Sequence, residues 1–234
     1  MRSLDLSAAG ALREERRFHL ISHNLSNAQV VGYKKDVPRF SLLLAQALTP
    51  LEAERADTSR TSFQQGNILK TGNDLDLAIE GEGFFKVMTP RGVRYTRSGQ
   101  FRLDREGRLV SASGFPVLGQ KGEIKVSGKA MVIEKDGRVK LDGEEADRIA
   151  LVTFDDLTQL TKESLTLFAP KMAQQEREVE APLVLQGYLE ESNVNALQEM
   201  VNLIDTLRSY EANMKVIQAK DELTGKVVNE MGRV

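Results

Sequence analysis

The sequence predicts an α+β protein in which long N- and C-terminal helices pair as a coiled coil and flank a central antiparallel β-rich domain. All 6 prolines lie between residues 38 and 182. Of the 18 glycines, 13 lie between residues 66 and 143. Because proline and glycine interrupt helices, their crowding in the middle favours helix at both ends and strands between them.

This pattern also predicts the domain organisation. We expect a discontinuous helical domain made of residues 1–36 and 186–234, which is the predicted coiled coil. A connecting segment should cover residues 37–70, and the β-rich domain should cover residues 71–185.

The N-terminal segment has small and apolar residues spaced three or four apart, except for a gap between residues 11 and 18 that Glu15 fills, and this pattern predicts an amphipathic helix from about residue 3 to residue 28. Gly32 provides a stop, and Pro38 prevents the helix from resuming. Because an apolar stripe must be covered, we assign it to an assembly interface. The stripe consists of Leu4, Ala8, Ala11, Phe18, Ile21 and Leu25.

The C-terminal segment shows the same spacing over a longer stretch, from about residue 195 to residue 220 or beyond. Asn195, with Gln198 three positions later, resembles a capping box at the start of this helix. We expect this stripe to face the N-terminal helix and neighbouring molecules. Its residues are Leu197, Met200, Ile204, Leu207, Tyr210, Met214 and Ile217.

The charges of the two ends favour their pairing. Residues 1–39 carry seven basic and four acidic side chains, whereas residues 188–234 carry five basic and eight acidic ones. Opposite net charges on the two segments favour association between them.

The middle of the chain has the signals of β-hairpins. Residues 84–88 and 93–96 flank a Pro-Gly turn, and Asp136-Gly137 is the strongest two-residue turn signal. Residues 101–103 and 108–110 flank a further turn, and one more strand is expected within 149–154. Short turns between successive strands predict an antiparallel meander or a small sandwich.

Composition excludes several classes of function. A chain of 234 residues with a net charge of −2 does not coat nucleic acid or anionic membrane by bulk electrostatics. It has no run of 18 apolar residues, so we expect no membrane insertion. Charged residues at 13–17 occupy the place of a signal peptide's apolar region, which predicts no cleaved signal. With no cysteine and two histidines, we expect no disulfide, metal or cofactor.

Local motifs that suggest chemistry have simpler interpretations. His19 and His23 share one helix face but lack a third ligand, so we interpret them as surface or interface residues. Gly81-Glu82-Gly83 lacks the third glycine of a dinucleotide-binding loop and precedes a strand, so it predicts a turn. The carboxylates within residues 74–82 do not fit a calcium loop and are interpreted as a solvated edge. No catalytic residues are predicted, and we do not expect an enzyme.

Several motifs, taken in order, resemble the bacterial flagellar rod and hook family. Ser22-His23-Asn24-Leu25-Ser26-Asn27 followed by Val31-Gly32-Tyr33-Lys34 is similar to the family's N-terminal signature. His23, Ser26 and Val31 depart from the usual residues there. Further matching stretches are Thr71–Phe85, Tyr95–Phe101, Gly114–Gly119, Leu189–Asn195, Glu199–Val201 and Tyr210-Glu211.

The resemblance implies a structural subunit of the basal-body rod that self-assembles into a hollow helical shaft transmitting torque. The implied partners are copies of the chain, other rod proteins and the type III export apparatus. The implied location is the periplasmic part of the rod. The motifs add Asn24, Asn27, Gly32, Tyr33, Asn193 and Asn195 to the expected assembly interface.

Alternatives remain within and outside the family. The sequence is most similar to proximal rod subunits, distal rod subunits are the close alternative, and hook subunits usually carry further outer domains. A coiled-coil chaperone would have a far smaller centre than residues 71–182. An enzyme with its site in the β-rich region would require convergent ligands or nucleophiles.

Overall fold

A computed structural model of the chain describes residues 2–39, 59–126, 130–171 and 176–231. It divides into two compact units. The helical unit contains both long helices, and the β unit consists of residues 27–36 and 59–194. Much of the predicted connecting segment, 37–70, lies outside the described residues.

Among the described residues, the helical elements lie near the two ends of the chain, with one short exception. Helix α1 spans Arg2–Ser26 and helix α2 spans Ala196–Met231. A short 3₁₀ helix spans Leu157–Gln159 and begins where the Asp156 side chain accepts a hydrogen bond from the Thr158 amide. Within the described part of the chain, no helix is both long enough and apolar enough to cross a membrane.

The rest of the regular structure in the described residues is β. The strands, in chain order, are β1 (Asp36–Pro38), β2 (Ser59–Thr61), β3 (Ile68–Lys70), β4 (Leu77–Glu80), β5 (Phe84–Thr89), β6 (Gly92–Thr96), β7 (Phe101–Leu103), β8 (Leu109–Ser111), β9 (Leu118–Gly119), β10 (Gly122–Glu123), β11 (Met131–Ile133), β12 (Arg138–Leu141), β13 (Glu144–Arg148), β14 (Leu151–Thr153), β15 (Leu160–Lys162), β16 (Leu167–Pro170), β17 (Arg177–Glu178), β18 (Leu183–Gln186) and β19 (Tyr188–Glu190).

These strands form several small antiparallel sheets. The largest sheet has six strands in the order β15-β16-β6-β5-β14-β17. Strands β11, β12 and β13 form a three-stranded meander. Two-stranded pairs join β3 to β19, β4 to β18, β7 to β8, and β9 to β10. The C-terminal strands β18 and β19 therefore pair with strands from the start of the unit.

The hairpins predicted from turn chemistry are confirmed. Strands β5 and β6 pair up to Thr89 opposite Gly92, with Pro90 in the turn. Ile133 lies opposite Val139 around the predicted Asp136-Gly137 turn. Gly137 has a φ of 86°, a left-handed conformation that glycine adopts without steric cost.

The β unit has two hydrophobic clusters, one on each face of β5. Phe85 belongs to a large cluster that also contains Phe101 and many aliphatic side chains. Phe84 belongs to an aromatic cluster with Tyr95 and Phe168. Because successive residues of a strand point to opposite faces, the Phe84-Phe85 pair supplies both clusters from one strand.

The predicted fold class is wrong. The described chain is mainly β, with one N-terminal and one C-terminal helix, and these helices do not form the predicted coiled coil. A coiled coil would bury its apolar seam between the helices. Instead, Met200, Ile204 and Leu207 of α2 are 49%, 51% and 41% exposed.

The reason lies in the orientation of α2. Among the described side chains of this helix, Glu199 and Thr206 are the buried ones, at 6% and 0% exposure. Asn213 lies against Gly10 of α1, where a Cβ on the glycine would come within 3.3 Å of the amide side chain. The side of α2 that packs within the helical unit therefore mixes polar residues with half-buried apolar ones such as Tyr210 and Met214, and several apolar residues of its N-terminal half face outward.

Candidate assembly surface and buried junction

Five exposed apolar residues form a stripe on the N-terminal half of α2, and two others, Val216 and Leu223, lie further along the helix. We call this stripe the α2 apolar face. Residues at these spacings lie on one side of a helix, since three or four positions complete a turn. The face consists of Leu197, Met200, Val201, Ile204 and Leu207, which are 74%, 49%, 47%, 51% and 41% exposed.

The remaining predicted interface residues of α2 are less exposed. Tyr210, Met214 and Ile217 are half-buried, so the predicted seam crosses from the outer to the inner side of the helix along its length. Asn195 is exposed, and its Oδ1 accepts a hydrogen bond from the Gln198 amide at 3.1 Å, which caps the start of α2.

Polar atoms are buried on the inner side of the helical unit. Thr206 Oγ1 of α2 and Glu14 Oε2 of α1 are both buried without a hydrogen-bond partner in the described structure. Arg17 lies 4.0 Å from that Glu14 oxygen, beyond hydrogen-bond distance. Such groups weaken the packing, because burial without a partner costs about 1–3 kcal/mol.

The predicted interface residues of α1 are mainly covered within the chain itself. Ala11, Ile21 and Asn24 are buried, and Phe18 and Leu25 are half-buried. The side chains of Leu4 and Ala8 lie outside the described residues. His19 and His23 are exposed.

A second group of predicted residues lies in the β unit, in the segment that follows α1. We call residues 27–36 the strap. Asn27, Gly32 and Tyr33 are all buried, Tyr33 completely. The Gly32 amide donates to the Glu190 carbonyl at 2.8 Å, so the strap lies against the last strand, β19.

Gly32 is required at its position for two reasons. Its φ is 68°, in the left-handed region. A Cβ there would also lie 2.3 Å from the Ser98 backbone nitrogen, closer than atoms can approach. Only glycine allows the strap to turn this close to residue 98.

Asn193 holds the strap from the other side. Its Oδ1 accepts from the Lys35 amide at 2.7 Å, and its Nδ2 donates to the carbonyls of Ser62 and Gln64 at 2.8 and 2.9 Å. The Asn193 amide also donates to the Tyr33 carbonyl at 3.3 Å. One side chain therefore joins segments that are far apart in the sequence.

Beneath the strap lies a buried ion cluster of Lys34, Arg97 and Glu190. Lys34 Nζ lies 2.5 Å from Glu190 Oε1, and both side chains are completely buried. Arg97 lies 3.2 Å from the other carboxylate oxygen. Lys34 also donates to the Gln64 carbonyl at 2.7 Å, and the Gly66 amide donates to Glu190 at 3.0 Å.

Burial and pairing act in opposite directions on these charges. Burial lowers the pKa of Lys34, and the Glu190 carboxylate beside it opposes that shift. Burial likewise lowers the pKa of Arg97, again opposed by Glu190. The single carboxylate thus compensates two buried cations, which makes Glu190 central to the cluster.

A further cation lies at the edge of the strap. Lys162 Nζ is 2.8 Å from Asp36 and donates to the Lys34 carbonyl at 2.6 Å. It also lies 4.3 Å from the centre of the Tyr33 ring, within the range of a cation–π contact.

Sequence reasoning missed this cluster. The sequence places Lys34 in a motif without indicating a partner for it, and it gives no sign that Arg97 and Glu190 belong to a site. Their separations of 156 and 93 residues leave no local signal. A lysine next to the predicted Gly32-Tyr33 turn was the only indication. Within the described residues, no group of three potential metal ligands occurs.

Comparisons with known proteins agree with the motifs. The description "Flagellar basal body rod FlgEFG protein C-terminal" belongs to a family model that matches residues 185–231. A second model, "Flagellar hook protein FlgE/F/G D1 domain", matches residues 78–141. The first match covers β19 and α2, and the second covers much of the β unit.

Related proteins match over almost their whole length. The chain is 33% identical to the flagellar basal-body rod protein FlgF of Caulobacter vibrioides, with 94% of this chain and 93% of that protein covered. It is 31% identical to the rod protein FlgG of Bacillus subtilis, with 98% of each covered. It is 32% identical to FlgG of Buchnera aphidicola subsp. Schizaphis graminum, covering 96% and 98%. The chain belongs to the flagellar basal-body rod family and is a structural subunit of the flagellar rod.

Proposed function

We propose that this rod subunit assembles with copies of itself and with other rod proteins through the α2 apolar face, and that the product is a hollow helical shaft that transmits torque. The observation that carries the proposal is the outward orientation of Leu197, Ile204 and Leu207. A contiguous apolar stripe left exposed on the outer side of a helix is typical of a surface that another molecule covers.

The energy available from this face fits a polymer better than a single pair of molecules. Burying the exposed parts of its five side chains contributes about 1 kcal/mol each, or on the order of 5 kcal/mol per copy. Association costs an estimated 4–15 kcal/mol in lost freedom. One such contact is marginal alone, whereas a helical array gives each copy several neighbours.

The residues of the strap and of α1 have a different role in this proposal. Ala11, Ile21, Gly32 and Tyr33 are buried within the chain. They therefore stabilise the folded subunit, which exposes the α2 apolar face. They contact a neighbour only where the subunit rearranges on assembly. The α2 residues Met200, Ile204 and Leu207 are the direct contacts.

Location and delivery follow from the same proposal. The subunit functions in the periplasmic part of the basal body and reaches it through the type III export apparatus. The absence of cysteine supports passage as an unfolded chain, since no disulfide must be broken or formed. The names of its relatives, which are rod proteins, support a structural rather than an enzymatic role.

Two positions within the rod fit this subunit, the proximal rod and the distal rod. FlgF and FlgG proteins match with similar identity, 33% and 31–32%. We favour the proximal rod, because the residues at 94–97 and 116–119 are most similar to the corresponding motifs of proximal rod subunits.

The test is a charge placed on the face. Leu207→Asp should prevent incorporation into basal bodies, because a carboxylate cannot be buried there without a partner. Ser209→Asp is the matched control, since Ser209 is exposed on the same helix but outside the face. Circular dichroism of both purified variants checks that the β unit is folded. Normal rods built from the Leu207→Asp chain would contradict the proposal.

A further inference from the structure

The contacts of the strap differ in kind from those that hold the β unit together. Both hydrophobic clusters of the unit consist of residues outside 27–36, as far as the described chain shows. Apart from the completely buried Tyr33 side chain, the strap is held by hydrogen bonds and charge. These contacts include the Gly32 amide to Glu190, the Lys35 amide to Asn193, and Lys34 Nζ to Glu190.

The β unit retains most of its interactions without the strap. Glu190 still has Arg97 at 3.2 Å and the Gly66 amide at 3.0 Å. Arg97 still donates to the Gly81 carbonyl at 2.6 Å and lies 5.5 Å from the centre of the Phe84 ring. Lys34, for its part, would carry its charge out into water, where it is well solvated. Opening the strap therefore keeps Glu190 paired with Arg97, but it takes Asp36 and the Lys34 carbonyl away from Lys162, which would then depend on entering water for its solvation.

The ion cluster is also incompletely satisfied when closed. Arg97 Nε is buried without a hydrogen-bond partner among the described residues. A partly satisfied buried network is less stable than a complete one. This geometry favours a contact that can open and close without unfolding the surrounding structure.

We propose that the strap closes onto an already folded β unit in a separate step. The ion pair between Lys34 and Glu190, in which we call Lys34 the latch, holds the strap closed. Closure joins the segment that follows α1 to the segment that precedes α2, through the Gly32–Glu190 and Asn193–Tyr33 backbone bonds. Closure of the strap therefore fixes the segment after α1 and the segment before α2 at the same time. This step concerns folding of the single chain and stands or falls separately from the proposed assembly surface.

Hydrogen exchange on the full-length, unmodified chain tests the separate step. The amides of Gly32, Lys35 and Asn193 report on the strap, and those of β5 and β6 report on the core. Under native conditions we expect the strap amides to exchange at least about tenfold faster than the core amides, through a local opening. Equal protection, with the same dependence on denaturant, would mean that the strap opens only on global unfolding and would overturn the proposal.

A substitution tests the latch itself. Lys34→Met keeps much of the side-chain length and removes the charge. We expect exchange of the strap amides to accelerate at least about tenfold further, while exchange in β5 and β6 changes less than about twofold. Lys140→Met is the matched control, because Lys140 is paired with Glu134 at 2.5 Å but stays partly in solvent.

Each other outcome contradicts the proposal. Equal acceleration of strap and core amides would make the strap an integral part of the core. Unchanged strap exchange would show that Lys34 is not the latch. Failure of the Lys34→Met chain to fold would also contradict it, since the proposal requires the β unit to fold with the strap open.

Discussion

Lys34 Nζ and Glu190 Oε1 lie 2.5 Å apart in the completely buried interior of the β unit, although 156 residues separate them in the chain. A buried ion pair adds little net stability compared with apolar packing, but removing one partner leaves a charge that costs several kcal/mol. The pair therefore fixes which segments come together.

Glu190→Gln should destabilise the protein by about 3–5 kcal/mol, because Lys34 and Arg97 would lose their shared counter-charge. Urea unfolding followed by circular dichroism measures this. Glu163→Gln is the control, since its pair with Arg94 at 2.8 Å is partly solvated and should be worth less than about 1 kcal/mol. Adding Lys34→Met to Glu190→Gln should recover part of the loss, and strictly additive effects would contradict the direct pairing.

Gly32→Ala should be much more costly than Gly72→Ala. Both glycines have positive φ, 68° and 76°, so each alanine incurs about 1–2 kcal/mol of backbone strain. A Cβ at Gly72 meets nothing within 4 Å, whereas one at Gly32 collides with the Ser98 backbone. We expect an additional cost of about 1–3 kcal/mol at Gly32, measured as a difference in urea midpoints. Equal midpoints would show that the strap is not packed against residue 98.

Asn193→Asp should destabilise the strap while changing the shape of one side chain very little. The aspartate keeps an acceptor for the Lys35 amide but loses the donor that serves the Ser62 and Gln64 carbonyls. Unpaired carbonyls facing a carboxylate should cost about 2–3 kcal/mol. Proteolysis near residue 35 and thermal unfolding would both detect the change. If the rate of cleavage and the thermal midpoint were unchanged in this variant, Asn193 would not be holding the strap.

Acid should weaken the turn between β7 and β8. Asp104 accepts hydrogen bonds from the Arg108 and Glu106 amides, at 2.8 and 2.9 Å. The bond from the Arg108 amide is the main cause that lowers the pKa of Asp104 below its usual value of 3.8. A carboxylate with a lowered folded-state pKa stabilises the fold above the unfolded pKa, and this contribution disappears as the pH falls through the folded pKa.

In the Asp104→Asn variant, the free energy of unfolding should therefore fall less steeply between about pH 4 and pH 2 than in the unmodified chain. Urea midpoints measured across this range give the slope. Glu144→Gln provides a comparison at an exposed carboxylate on β13. If Asp104→Asn and the unmodified chain lose stability in parallel, Asp104 does not contribute to the acid dependence.

The parts of the fold that were predictable from sequence are those set by local chemistry. The turn at Asp136-Gly137 and the hairpin around Pro90 follow from backbone preferences of adjacent residues. The cap at Asn195 follows from the side-chain oxygen that α2 requires at its start. Such signals need no knowledge of the rest of the chain.

The predicted coiled coil failed because an apolar stripe shows that a surface must be covered, without showing by what. The stripe that contains Ile204 and Leu207 is predicted to face both α1 and neighbouring molecules, but α2 packs Glu199 and Thr206 inward and leaves Ile204 and Leu207 exposed. The sequence did not predict the buried ion cluster, for a different reason. Pairing of Lys34 with Glu190 depends on the topology of β19 against the start of the unit, which no local pattern encodes.

The most direct test of the proposed assembly surface is cysteine labelling at position 207 before and after assembly. Because the chain has no cysteine, Leu207→Cys provides a single reactive thiol. We predict rapid maleimide labelling in the purified subunit, and protection in intact basal bodies that labels fully once they are denatured. Equally rapid labelling in intact basal bodies would contradict the claim that a neighbouring molecule covers this face of α2.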